Sequence, residues 1–345
     1  MIQTQAQLLE FLSKIEGETQ LAIDTEFKRV STFYPQLCLV QIASNTQIDC
    51  VDVLALTDLS PLFEKLYHPE VEWIVHAARQ DLEALYYLSG QLPKQLFDTQ
   101  IAAALLGQMP QISYQALTEM LQGVHLDKAY TRLDWTTRPL PEGAVQYALD
   151  DVKYLLENYR QLQQQLMAQD RRDWLSEEAG KLLNEGLYQP DLPAAWQKVK
   201  GIRHIAKRAH SLGCQLSAWR EQQASEQDKP RKWVMSDEAL LSYALGKQTL
   251  SSKAQTSFQA FLEAHPELSQ LQAINLKERI PNATEKAEKI KLQKLIQQKA
   301  DTYNLDSSMI ANGKSLLRYI RGDDSVEFNQ GWRGELLRGE LNNAK

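Results

Sequence analysis

Apolar residues recur at two different periods along this chain. Thr4-x-x-Gln7 has the form of a capping box at the head of an amphipathic stretch, which predicts a helix running to about Ile15. Three runs of strand character follow, Leu21–Phe27, Leu37–Ala43 and Gln47–Val53, and the short link Ser44-Asn45-Thr46 predicts a hairpin between the last two. A further apolar run, Val71–Val75, leads into helical periodicity from Ala78 to Leu88, and Asp98 is placed as the N-cap of a helix through Leu106. Residues 107–141 are polar with weak periodicity, after which a strong helical pattern spans Gly143 to Leu166. Hairpin strands first, then strands alternating with helices, predict a mixed α/β sheet.

Beyond residue 170 the strand signals almost vanish. Helical patterns recur between breakers at 186–193, 227–230, Pro266 and Pro281. The division this suggests is an α/β domain at 1–170, a helical linker at 171–204, and helical modules at 205–285 and 286–345. A length of 345 residues already exceeds one ordinary core. Composition is that of a soluble globular protein, with 43% apolar and 24% charged residues. Leu37–Ala43 is strand-length and contains Gln41, so it is no membrane span, and the first residues lack the basic and apolar regions of a secretory signal. Cys38, Cys50 and Cys214 are odd in number and far apart, which argues against a disulfide framework or a zinc site and for a reducing cytoplasm.

The net charge of −6 conceals an asymmetry. Residues 1–165 hold 11 Lys/Arg and 21 Asp/Glu, which leaves 27 and 23 of the totals 38 and 44 for residues 166–345. No acid lies between Leu192 and Arg220, where Lys198, Lys200, Arg203, Lys207 and Arg208 cluster. An acidic half suited to cations and a basic half suited to phosphates fit a nuclease, among other proteins.

The acids carry the chemistry. Asp24 and Glu26 stand at i and i+2 on a predicted strand and so share one face, where they repel and call for water or a cation. Asp81 falls at helical spacing with Ala78, Leu85 and Leu88, the stripe that faces a core, where an unpartnered charge is costly. Tyr147 and Asp151 are one helical turn apart, on a face shared with Ala144, Ala148 and Leu155, while Asp150 points elsewhere. Taken singly, each is more often an ordinary polar residue. Their order and spacing change that.

Asp24-x-Glu26, His76-Ala-Ala-Arg-Gln-Asp81 and Tyr147-x-x-x-Asp151 together resemble the three motifs of the ribonuclease D family of DEDD exonucleases, in the subgroup with a tyrosine in its third motif. Phe97-Asp98-Thr99 and Asp134-Trp-Thr-Thr-Arg-Pro-Leu140 also match family landmarks. Ala218–Ala224 with Asp228–Leu240 is similar to the helicase-and-ribonuclease-D C-terminal (HRDC) domain, and Gly331–Leu336 resembles the end of a second copy. One departure is Ala77, where some DEDD exonucleases carry asparagine.

The resemblance implies a ribonuclease H-like α/β mixed-sheet exonuclease domain followed by all-α HRDC-type domains. It implies two divalent ions, Mg²⁺ or Mn²⁺, about 3.5–4 Å apart. Asp24 would bridge both, Glu26 and Asp151 would complete one site, and Asp81 would hold the second. Tyr147 would orient the attacking water, since a phenol that ordinarily ionises near ~10 is a poor general base. The implied substrate is RNA with a free 3′ end, tRNA precursors above all. Protein partners are not indicated, and a membrane is not expected. Arg132, Arg138 and the stretch Lys198, Lys200, Arg203, Lys207 and Arg208 are candidates for phosphate contacts. His76 reads as a packed or solvated histidine, and Trp219 and Trp233 as core residues. A DNA exonuclease uses the same carboxylates and is distinguished by the 2′-hydroxyl. A non-catalytic RNA-binding scaffold predicts a broken acidic set, which this is not.

Overall fold

The computed structural model describes residues 1–127, 129–130, 133–269, 276 and 279–341. Five strands, β1 (Gln20–Lys28), β2 (Gln36–Ala43), β3 (Ile48–Asp52), β4 (Glu72–Val75) and β5 (Gln95–Asp98), form one sheet in the order β3-β2-β1-β4-β5. β2 and β3 are the predicted hairpin, antiparallel with Val40 opposite Val51, while β4 runs parallel to both β1 and β5. The mixed sheet expected from the alternation is therefore present. β4 is buried throughout, as a central parallel strand must be.

Helices α1 (Gln5–Lys14), α2 (Ser60–Leu66), α3 (Arg79–Ser89), α4 (Thr99–Leu105), α5 (Tyr114–Gln122), α6 (Ala144–Lys153), α7 (Leu155–Ala168) and α8 (Arg172–Lys181) accompany the sheet. The capping box at Thr4 and Gln7 is made in full, and Asp98 caps α4 by accepting from the N–H groups of Gln100 and Ile101. Two features depart from the pattern reading. The weakly periodic segment contains α5, capped by Ser113, and the long helix expected over 143–166 is broken at Tyr154 into α6 and α7.

The chain divides into two compact units. The first comprises residues 1–28, 37–184 and 281–345, and the second 29–36 and 185–280. In the first, Leu292, Ile296 and Ala300 of the helix Ala283–Tyr303 share a core with Phe97, Ala102, Leu155 and Tyr159. Arg171 ties that core together by donating to the carbonyls of Leu105 and Tyr303 at 2.6 and 2.7 Å.

The second unit is helical. Its core gathers Leu216, Trp219, Leu240, Phe258 and Phe261 around the helix His210–Glu226. Buried Arg220 pairs with Asp237 at 2.7 Å, and buried Glu221 takes both Lys198 and Arg231. The β1–β2 connection belongs to this unit: Asp228 accepts from the N–H groups of Phe33 and Tyr34, each at 3.0 Å. No helix among the described residues is long and apolar enough to cross a membrane.

Candidate active site

Strand alternation leaves Asp24 and Glu26 half-buried on one face of β1, with Ile23 and Thr25 buried between and behind them. α6 brings Asp151 to them. Ligand oxygens of Asp24, Glu26 and Asp151 all lie within 4.8 Å of one another. Ala144 and Ala148, fully buried on the same face of α6, supply the small side chains that let the helix approach β2 and β3. Asp150 is outside this cluster, its carboxylate taking the Gln146 amide at 2.9 Å.

Asp81, only 5% exposed in the first turn of α3, has the partner its position requires. Thr25 donates to its Oδ1 from the hydroxyl at 2.6 Å and from the backbone N–H at 3.1 Å. Asp81 lines a cleft of ≈ 670 Å³ together with Asp24, Glu26, Phe27, Arg79 and Trp135.

Four acids so close disfavour their own ionisation. Burial pushes Asp24 well above the usual carboxylate range, and repulsion from Asp81, Asp151 and Glu26 adds to it. Glu26 rises to about 8 through burial and then through Asp151 and Asp81. Asp151 rises to about 7 through burial, Asp150 and Asp81. Asp81 also rises to about 7, burial outweighing the Thr25 hydrogen bonds. A cluster of carboxylate oxygens whose mutual repulsion a cation would relieve fits a divalent ion.

Tyr147 stands one turn before Asp151 on α6, inside an aromatic cluster. The Trp135 ring lies 6.3 Å from it at an interplanar angle of 29°, and Tyr130 meets it edge-on at 5.9 Å. The loop carrying Trp135 is pinned at both ends, by Lys28–Asp134 at 2.7 Å and by Arg138 on Asp52.

Arg138 uses all five of its N–H donors within the fold. They go to both oxygens of fully buried Asp52, at 2.6 and 2.8 Å, and to the carbonyls of Trp135, Thr137 and Cys38. Although burial works to raise it, these bonds and one from Gln3 hold the Asp52 carboxyl below its ordinary range. Arg138 is thus placed to brace the loop, and a phosphate contact would have to break this set. Arg132 lies outside the described residues.

His76 is packed between Thr99 and the carbonyl of Ile112, each 2.9 Å from a ring nitrogen, and burial lowers its pKa. Nε2 faces a carbonyl, which only accepts, so it carries a proton and donates to Ile112, while Nδ1 meets a Thr99 hydroxyl that itself donates to the Val75 carbonyl at 3.1 Å. Asp98 does more than cap α4, because it also receives the N–H groups of Ala77 and Ala78 at 3.1 and 2.8 Å.

In the second unit, Lys198 is paired with buried Glu221, and Arg203 lies over the Trp196 ring at 4.9 Å. Lys200, Lys207 and Arg208 are exposed and make no ion pair among the described residues. Trp219 is a core residue, with Phe258 against its ring and its N–H on Ser257. Trp233 is not: it is 66% exposed, because the helix that carries it, Arg231–Val234, is a single turn with no buried face.

Sequence reasoning missed Thr25 and the Asp52–Arg138 pairing as parts of the site, and marked Trp135 only as part of a family landmark. Thr25 could have been found by asking what partners a carboxylate on an apolar stripe. The Asp52–Arg138 pairing carries no periodic signal.

Residues 1–167 match the family model of a 3′-5′ exonuclease. The chain is 32% identical to ribonuclease D of Nitrobacter hamburgensis over 98% of its own length and 92% of that protein. It is 39% identical to ribonuclease D of Gluconacetobacter diazotrophicus over 71% of its length, a match that spans 62% of that relative. Among solved structures, Escherichia coli RNase D, described as an exoribonuclease involved in structured RNA processing, superposes with a TM-score of 0.81 at 28% identity, covering 100% of this chain and 97% of that one. With its acidic trio on β1 and α6 and its likeness to these proteins along nearly the whole sequence, the chain belongs to the ribonuclease D family.

Proposed function

We propose that this chain is a 3′→5′ exoribonuclease that hydrolyses phosphodiester bonds, releases nucleoside 5′-monophosphates and trims the 3′ ends of tRNA precursors and other structured RNA. The observation that carries the reading is the convergence of Asp24, Glu26 and Asp151 within 4.8 Å in a protein of this family.

Asp24, Glu26 and Asp151 would hold one divalent ion, Mg²⁺ or Mn²⁺, with Asp24 shared and Asp81 serving a second. Such ions supply charge stabilisation at the attacking and leaving oxygens of an in-line displacement. The chain's own residues do the rest. Thr25 fixes the Asp81 carboxylate, so that its orientation is set before substrate arrives. Tyr147, held by Trp135 and Tyr130, presents its hydroxyl to orient the attacking water. Lys200, Lys207 and Arg208 would contact backbone phosphates, with Lys198 and Arg203 beside them already engaged by Glu221 and Trp196. The helical modules at 205–285 and 286–345 are proposed as HRDC-type domains. Three buried free thiols suit a reducing cytoplasm.

The test is parallel digestion of matched RNA and DNA oligonucleotides with the wild type and Asp24→Asn. RNA shortened stepwise from its 3′ end only by the wild type supports the reading. Equal cutting of DNA would overturn the preference for RNA, and an active Asp24→Asn protein with native circular dichroism would overturn the assignment of the site.

A further inference from the structure

An α-helix running through Asp150 would close the Asp150 carbonyl directly onto the Tyr154 N–H, four residues on. Here a side chain from elsewhere enters that position. The hydroxyl of Tyr114, the first residue of α5, donates to the Asp150 carbonyl at 3.1 Å and accepts the Tyr154 N–H at 3.3 Å. The helix breaks at this point, with Tyr154 at φ −100° and ψ −2° between α6 and α7. Side-chain insertion into the helical ladder is one of the few causes of such a break.

We propose that Tyr114 is a positioning residue for the acidic site: its hydroxyl, wedged between Asp150 and Tyr154, fixes the helix break and so sets Asp151 against Asp24 and Glu26. Asp151 is the next residue after the carbonyl that Tyr114 holds, so the wedge acts on the backbone that aims its carboxylate. Tyr114 is itself well anchored. It is 7% exposed, its ring lies 5.8 Å from His76, and the same histidine grips the carbonyl of Ile112 two residues before it. His76 adjoins the Ala77–Ala78 turn that leads into α3 and Asp81. One tyrosine therefore links the segment that presents Asp81 to the helix that presents Asp151. This inference rests on the proposed metal-dependent activity, since it assigns Tyr114 a purpose only if Asp151 is a ligand.

Tyr114→Phe removes one oxygen and keeps the ring. A control removes a buried hydroxyl from α7: Tyr159 donates to Glu72 at 2.9 Å and accepts from Gln20, at the start of β1, at 2.8 Å, neither bond reaching one of the four acids. Mn²⁺ affinity is measured by calorimetry on wild type, Tyr114→Phe and Tyr159→Phe, alongside melting temperature, kcat and KM on a short RNA. Tyr114→Phe should weaken Mn²⁺ binding about tenfold to a hundredfold, as loss of a ligand-orienting group does. It should lower kcat with KM for RNA unchanged. Tyr159→Phe should lose comparable thermal stability yet keep Mn²⁺ affinity within about twofold. Unchanged Mn²⁺ affinity in Tyr114→Phe, or equal weakening in both variants, overturns the proposal. Failure of the nuclease reading itself would be seen separately, as a wild type that does not shorten RNA from its 3′ end, and failure of the acidic site as an active Asp24→Asn protein.

Discussion

Thr25 donates twice to a single oxygen of Asp81, from its hydroxyl at 2.6 Å and its backbone N–H at 3.1 Å. The strand that displays two acids on one face thereby restrains a third acid through the residue between them. Thr25→Val keeps the β-branched shape and the N–H but removes the hydroxyl. The variant should lose about 1–3 kcal/mol at pH 8, where Asp81 is ionised, because the hydrogen bond is to a buried charged acceptor. Urea unfolding measures this, and a variant as stable as the wild type would show that the hydroxyl is not holding Asp81.

The raised pKa values give a direction for stability against pH. Carboxylates in the unfolded chain lose their protons near ~4. In the folded protein Glu26 holds its proton to about 8, and Asp81 and Asp151 hold theirs to about 7. Between those limits the folded state binds more protons than the unfolded state, so stability falls as pH rises. This contribution is complete below the unfolded values and lost as pH passes through 7 and 8. In chelator, the melting temperature should therefore decline from pH 5 to pH 8 (about three units of titration range). Added Mg²⁺ or Mn²⁺ competes with those protons, so it should stabilise more at pH 8 than at pH 5. A cation effect that is equal at both pH values would contradict the assignment.

Much of the site was legible because its logic is local. Period two put Asp24 and Glu26 on one face, and period 3.6 put Tyr147 with Asp151 and Asp81 among apolar residues. What stayed hidden depends on partners far along the chain. α5 lies in a segment whose periodicity is too weak to announce it, and the break at Tyr154 is made by Tyr114, forty residues away in sequence. Arg138 looks like a free surface arginine until Asp52 is placed against it. Trp233 reads as a core residue from helical spacing and the HRDC likeness, and the shortness of its helix leaves it exposed. That the helix Ala283–Tyr303 shares a core with Phe97 is likewise a tertiary fact, with no trace in either segment alone.

Ala77 takes φ +60°, the left-handed region, at the start of the turn that Asp98 braces. An L-residue there is strained by roughly 1–2 kcal/mol. Ala77→Gly relieves that strain, partly offset by the greater freedom of glycine in the unfolded chain, so it should stabilise by roughly 0.5–1 kcal/mol. Ala77→Val should destabilise, since a branched side chain at positive φ is worse. Chemical denaturation of both variants checks the pair, and a glycine variant less stable than the wild type would contradict the backbone assignment.

Lys200, Lys207 and Arg208 are exposed cations without ion pairs among the described residues. If they contact the RNA backbone, replacing all three with glutamine should reduce the slope of log binding constant against log salt by about 2, or ~0.7 per phosphate of a single strand. Fluorescence anisotropy on a labelled RNA across a salt series gives the slope. No change would remove this stretch from the RNA-binding surface.

The most direct test of the central claim follows a 5′-labelled, 3′-extended tRNA precursor through incubation with purified protein and Mg²⁺. The account predicts a ladder shortening one nucleotide at a time from the 3′ end, with nucleoside 5′-monophosphate released and no ladder in EDTA or with Asp151→Asn. Internal cuts, or shortening that survives the loss of Asp151, would contradict it.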